Sequence, residues 1–134
     1  MATYDEQPGF FISGAVAEAY KQDIEAALGS FSQYQTVLEV GCGSGVFTAF
    51  LAAQGLNIVG IDRNEAQLEV ARERLPEVEF QLADFALDSM AYKYRFDLMA
   101  ARYVIHELAD PIATFTAWKD LLAPGGKVLL IENT

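Results

Sequence analysis

Glu39 stands two residues before Gly41 in the run Leu38-Glu39-Val40-Gly41-Cys42-Gly43-Ser44-Gly45. Glycines at a strand-to-helix turn admit positive φ and let a ligand lie against bare backbone. The first N–H groups of the following helix lack intrahelical partners and can donate to that ligand. A glycine loop of this kind is commonly a dinucleotide site, but that fingerprint is G-x-G-x-x-G. Here the spacing is G-x-G-x-G, and Val46 stands where the last glycine would fall. A carboxylate at Glu39 repels a pyrophosphate and attracts an ammonium group or a hydroxyl. The loop therefore suits a ligand with an amino-acid part and no phosphate.

Three further stations carry chemistry. Asp62 follows Gly45 by 17 residues, at the end of the next apolar run. A carboxylate there can accept both hydroxyls of a ribose, whichever cofactor carries it; its plain alternative is a helix cap. Arg63 follows directly, and the adjacent Asp62 argues against a 2′-phosphate site. Asp84-Phe85 pairs a short carboxylate, able to accept from an exocyclic amine, with an aromatic that can pack beside a base. A turn followed by a core aromatic is the alternative reading. Within the run 96–108, the strand 96–101 ends with small Ala100 and Ala101, and Arg102, Tyr103 and His106, the chain's one histidine, follow. His106 is the candidate base if the substrate must lose a proton, against a structural role at a helix end.

The elements that must position these residues alternate between short apolar runs and helical spacings. Helices are expected over 15–28, 46–54, 65–75 and 111–122, and strands over 36–40, 57–62, 78–82, 96–101 and 127–132. Asn64 with Gln67 reads as a capping box and Pro76 as a stop. Asp110-Pro111 starts the last helix. Pro124-Gly125-Gly126 reads as a turn, and 85–95 as irregular or one short helix. The alternation predicts an α/β fold, a Rossmann-like, doubly wound parallel sheet of about five strands. The carboxyl ends of its strands are where ligands bind in such folds.

The bulk composition narrows the classes. The chain has 134 residues, 52% of them apolar and 21% charged, which is globular and large enough for one domain. Nine basic against nineteen acidic residues give a net charge of −10. Nucleic acid and anionic membranes need a cationic surface, so neither is an expected partner. No apolar run approaches the ~20 residues of a membrane span, and the first residues do not read as a signal peptide. Cys42 is the single cysteine; alone it makes neither an internal disulfide nor a zinc cage, so no metal site is expected. By type it is a small buried filler. A cytoplasmic setting and a small-molecule acceptor follow as expectations.

The segments VLEVGCGSG (37–45), IVGIDRN (58–64), QLADF (81–85), FDLMAARYVIHEL (96–108) and LLAPGGKVLLIE (121–132) resemble, in order, those of class I S-adenosylmethionine-dependent methyltransferases. The small-molecule, quinone-biosynthesis-like branch is the most similar. The resemblance implies methyl transfer from S-adenosyl-L-methionine to a small molecule, leaving S-adenosyl-L-homocysteine. It implies that Glu39 and the loop of Gly41, Cys42, Gly43 and Gly45 hold the methionine part. Asp62 would hold the ribose and Arg63 would lie beside the adenine, which Asp84 and Phe85 contact. Ala101 and Arg102 would contribute backbone near the methionine end, and His106 would face the acceptor. Tyr4, Tyr20 and Tyr103 could line the acceptor pocket. Residues 1–35 would form an N-terminal cap region on a core at 36–134.

Set against the resemblance, the sequence is expected to lack the family's usual C-terminal antiparallel strand pair. The apolar run 128–131 would then become a sheet edge. Three expectations follow: a fragment, a second subunit (a homodimer) covering that edge, or a minimal cofactor-binding domain. An S-adenosylmethionine-binding module, inactive alone or dependent on a partner chain, is accordingly the alternative to an enzyme. A nicotinamide-dependent oxidoreductase is disfavoured by the loop spacing and Glu39.

Overall fold

The computed structural model describes residues 14–85 and 95–132. Tyr4 and almost all of the expected irregular stretch at 85–95 lie outside them. Helix α1 spans Gly14–Leu28 and leads through a 3₁₀ turn, Phe31–Gln33, into β1, Thr36–Val40. Then follow α2 (Val46–Ala53), β2 (Asn57–Asp62), α3 (Glu65–Arg74) and β3 (Glu79–Leu82). Strand β4 (Phe96–Arg102), a 3₁₀ turn (Ile105–Glu107), α4 (Pro111–Lys119) and β5 (Leu122–Ile131) complete the order.

The five strands form one sheet in the order β3-β2-β1-β4-β5, and every pairing is parallel. The order reverses between β1 and β4, which is the switch point where open α/β sheets leave a crevice at their carboxyl ends. Both faces of the sheet are covered. Val37, Leu98, Ala100 and Leu129 pack on one face with Phe47 and Phe50 of α2 and Ile24 of α1. Leu38, Val40, Met99 and Ala101 pack on the other with Trp118 of α4. Burial on both sides is why β1 and β4 read as apolar runs rather than alternating ones.

The expected caps form. Asn64 accepts from the Gln67 N–H at 3.3 Å and Asp110 from the Ala113 N–H at 3.1 Å. Trp118 is 1% exposed and meets Phe115 edge-on at 5.2 Å. The last helix and strand differ from expectation. Helix α4 stops at Lys119 rather than near 122, and β5 begins at Leu122 rather than 127. Leu122 already pairs with Phe96, and the Pro124-Gly125-Gly126 turn is absorbed as an irregularity before Lys127 pairs with Leu98. Among the described residues β5 is an edge strand, with Val128 and Leu130 37% and 38% exposed and Leu129 buried between them.

Candidate functional site

The glycine loop joins β1 to α2 at the switch point. Gly41 has φ 75° and Gly45 φ 92°, values that L side chains adopt at a cost. Space is short as well: a Cβ on Gly41 would lie 2.6 Å from Val104 Cγ1 and 3.3 Å from Phe85 Cζ, and one on Gly45 3.3 Å from Ala71 Cβ. The N–H groups of Gly41 and Cys42 both donate to the Ile61 carbonyl, at 2.9 and 3.0 Å. Asp62 then takes the Gly43 N–H on Oδ2 and the Asn64 N–H on Oδ1, each at 2.9 Å. One carboxylate, 9% exposed, thus ties the ends of β1 and β2 together and holds a fixed orientation beside the loop.

Glu39 is 1% exposed, and its Oε1 accepts the Thr48 hydroxyl from α2. A buried carboxylate persists only where donors surround it, and Thr48 is a donor that sequence reading missed. Its signal was its place in an otherwise apolar helix. Burial, followed by the charges of Glu39 and Asp62, pushes the Cys42 thiol far above its ordinary pKa. Cys42 is therefore a neutral thiol that fills space and is not a nucleophile.

Arg63, Asp84 and Phe85 meet at one wall. The Arg63 guanidinium lies 5.1 Å from the centroid of the Phe85 ring, and its Nη2 is 3.4 Å from Glu107 Oε1. Trp118 Nε1 donates to the Phe85 carbonyl at 2.9 Å, which anchors the aromatic from below. These residues border a cavity of about 390 Å³ that continues to the start of α4 at Asp110 and Ala113. Phe85 is buried and Asp84 exposed.

At the end of β4, Ala101 and Arg102 are 1% and 8% exposed. Tyr103 follows with φ 63°, and its hydroxyl lies 3.5 Å from that of Tyr20 on α1. Glu132 Oε1 accepts the Val104 and Ile105 N–H groups at 3.1 and 3.0 Å, tying the end of β5 to this turn. His106 is exposed on the 3₁₀ turn. The structure thus gathers Glu39, the glycines, Asp62, Ala101 and Arg102 at one edge, with Arg63, Asp84 and Phe85 as a flanking wall. Val104 and Glu132 were missed, because their roles depend on backbone meeting across two chain segments.

Residues 13–134 match the model of a family described as the methyltransferase domain. The chain belongs to that family. It is 34% identical over 100 residues to a ubiquinone biosynthesis O-methyltransferase of Pseudomonas paraeruginosa, covering 72% of this chain and 43% of that protein. A namesake from Dinoroseobacter shibae is 32% identical over 122 residues, covering 89% of this chain and 48% of that protein. The chain thus spans less than half the length of these curated relatives. The crystal structure of an S-adenosylmethionine-dependent methyltransferase from Mesorhizobium loti superposes with a TM-score of 0.64. It is 26% identical, over 71% of this chain and 45% of that one. The fold is the Rossmann-like α/β fold of class I methyltransferases, as the five parallel strands and the switch-point loop require.

Proposed function

We propose that this methyltransferase-family chain carries out S-adenosylmethionine-dependent methyl transfer to a small-molecule acceptor. The observation that supports it most is the placement of Glu39 and Asp62 at the ends of neighbouring strands β1 and β2, on either side of a G-x-G-x-G loop. The groups present fit the cofactor. Two carboxylates stand at the ends of β1 and β2, where they can accept from ammonium and hydroxyl groups. An arginine-backed aromatic offers a wall for a base. Among the described residues no group of His, Cys, Asp and Glu is arranged to hold a metal.

When bound, S-adenosylmethionine supplies a methyl group activated on a sulfonium. The chain's own task is to bind, orient and exclude water. Glu39 and the loop of Gly41, Cys42, Gly43 and Gly45 would receive the amino-acid end. Asp62, already oriented by the Gly43 and Asn64 N–H groups, would receive the ribose hydroxyls. Arg63, Asp84 and Phe85 would hold the adenine, and the backbone of Ala101 and Arg102 would border the methionine end. His106 is the candidate base for an acceptor that must lose a proton. A cytoplasmic site of action accords with this reading, and among the described residues no helix is long and apolar enough to cross a membrane.

Incubation with methyl-labelled S-adenosylmethionine and a metabolite extract tests the activity. Acceptor-dependent release of S-adenosylhomocysteine is expected, and cofactor binding without any such release would contradict it. One observation favours a second reading, a binding module completed by a partner such as a second copy. The β5 edge exposes Val128 and Leu130, and an apolar edge strand invites pairing.

A further inference from the structure

We infer that Thr48 is a positioning residue for the cofactor: its hydroxyl fixes the Glu39 carboxylate beside the glycine loop, and through it sets how strongly the chain prefers a ligand with an amino-acid end. The inference rests on the methyltransferase reading above and deepens it. Thr48 is 0% exposed, on a helix, α2, whose other residues are all Val, Phe, Ala or Leu. A helical threonine can return its hydroxyl to the carbonyl four residues back. Thr116 on α4 does so, to the Ile112 carbonyl at 2.8 Å. A hydroxyl has one hydrogen to donate, and Thr48 sends it out of its own helix to Glu39 Oε1 on β1. The bond thus reaches across the glycine loop, from the strand before it to the helix after it.

Both ends of the Glu39 side chain are held. Its backbone lies in the central strand, in register with Gly60 of β2 on one side and Ala100 of β4 on the other. That fixes the root of the side chain, and Thr48 fixes its tip. Rotamers that a glutamate would otherwise sample are closed to it. A threonine suits the task, because its branched side chain is itself restricted in a helix. The bond joins β1 to α2 around the loop, as Asp62 joins β2 to the Gly43 N–H within it. A hydroxyl donor also favours the charged form of the carboxylate. The middle of the loop feels that charge: burial first, then Glu39 and Asp62, raise the pKa of the Cys42 thiol. A buried charge is screened little, so it draws an ammonium at the loop whatever other partners the carboxylate keeps. Thr48 itself touches no ligand in this account and acts only through Glu39.

Calorimetric titration of the full chain decides the matter when S-adenosylhomocysteine is compared with 5′-methylthioadenosine, which keeps the adenine, ribose and sulfur and has no amino-acid end. The unaltered chain should bind S-adenosylhomocysteine at least tenfold more tightly. Thr48→Val should shrink that preference about tenfold, the weight of a hydrogen bond to a charged group, and leave 5′-methylthioadenosine affinity in place. Thr48→Ser, which keeps the hydroxyl, should restore the preference. Thr48→Cys, a weaker donor of similar size, should fall between, and the Ser and Cys variants decide the matter if the Val variant does not fold. In a Glu39→Gln chain, Thr48→Val should change the preference no further. Equal weakening of both ligands by Thr48→Val, an unchanged preference, or a full additional loss in the Glu39→Gln chain overturns the positioning role. An unaltered chain that binds neither ligand overturns the cofactor reading itself.

Discussion

At the residue scale, the buried carboxylates govern behaviour. Thr48 gives Glu39 a hydroxyl donor in the core, and removing one donor from a buried charge costs about 2 kcal/mol. Thr48→Val, nearly isosteric, should lower the unfolding free energy by about that amount in a urea titration. An unchanged midpoint would mean that the bond carries no net weight. The raised Cys42 pKa gives a pH signature with a definite sign. The folded thiol stays protonated where the unfolded one ionises, so stability is intact below the ordinary thiol value of about 9 and falls as pH rises beyond it. The slope approaches about 1.4 kcal/mol per pH unit, and Cys42→Ala should remove that part of the alkaline loss. For His106→Gln, cofactor affinity should hold while turnover falls at least tenfold; equal turnover would remove its role as base.

At the element scale, the turn after β4 depends on β5. Glu132→Gln weakens acceptance from the Val104 and Ile105 N–H groups. It should cost about 1–2 kcal/mol of stability, and should cost acceptor affinity more than cofactor affinity. The loop, its helix α2 and the caps Asn64 and Asp110 were legible in the sequence because each is decided by neighbours within a few residues. The end of α4 was not. Leu122 looks helical by its spacing from Phe115 and Trp118, but Phe96 takes it into the sheet, a contact between distant segments. Glu132 was invisible for the same reason, since its partners are backbone groups 27 and 28 residues away. Asp62 was legible as an end-of-strand carboxylate. That its two oxygens hold two different loops became evident only with the fold.

At the scale of the whole molecule, the sheet order sets the two ends of the account. The reversal between β1 and β4 creates the edge that gathers the carboxylates, and among the described residues β5 is the edge strand on the other side of β4. If a second copy covers that strand, sedimentation should give a dimer that Val128→Lys with Leu130→Lys converts to a monomer. A monomer at every concentration would exclude self-pairing. The central claim is that the carboxyl edge binds S-adenosylmethionine and its product through Asp62. Thermal unfolding with S-adenosylhomocysteine at 100 times its Kd should show about 2.7 kcal/mol of added stability. Asp62→Ala should lose it, and NAD should give none. Stabilisation by NAD and none by S-adenosylhomocysteine would contradict the account.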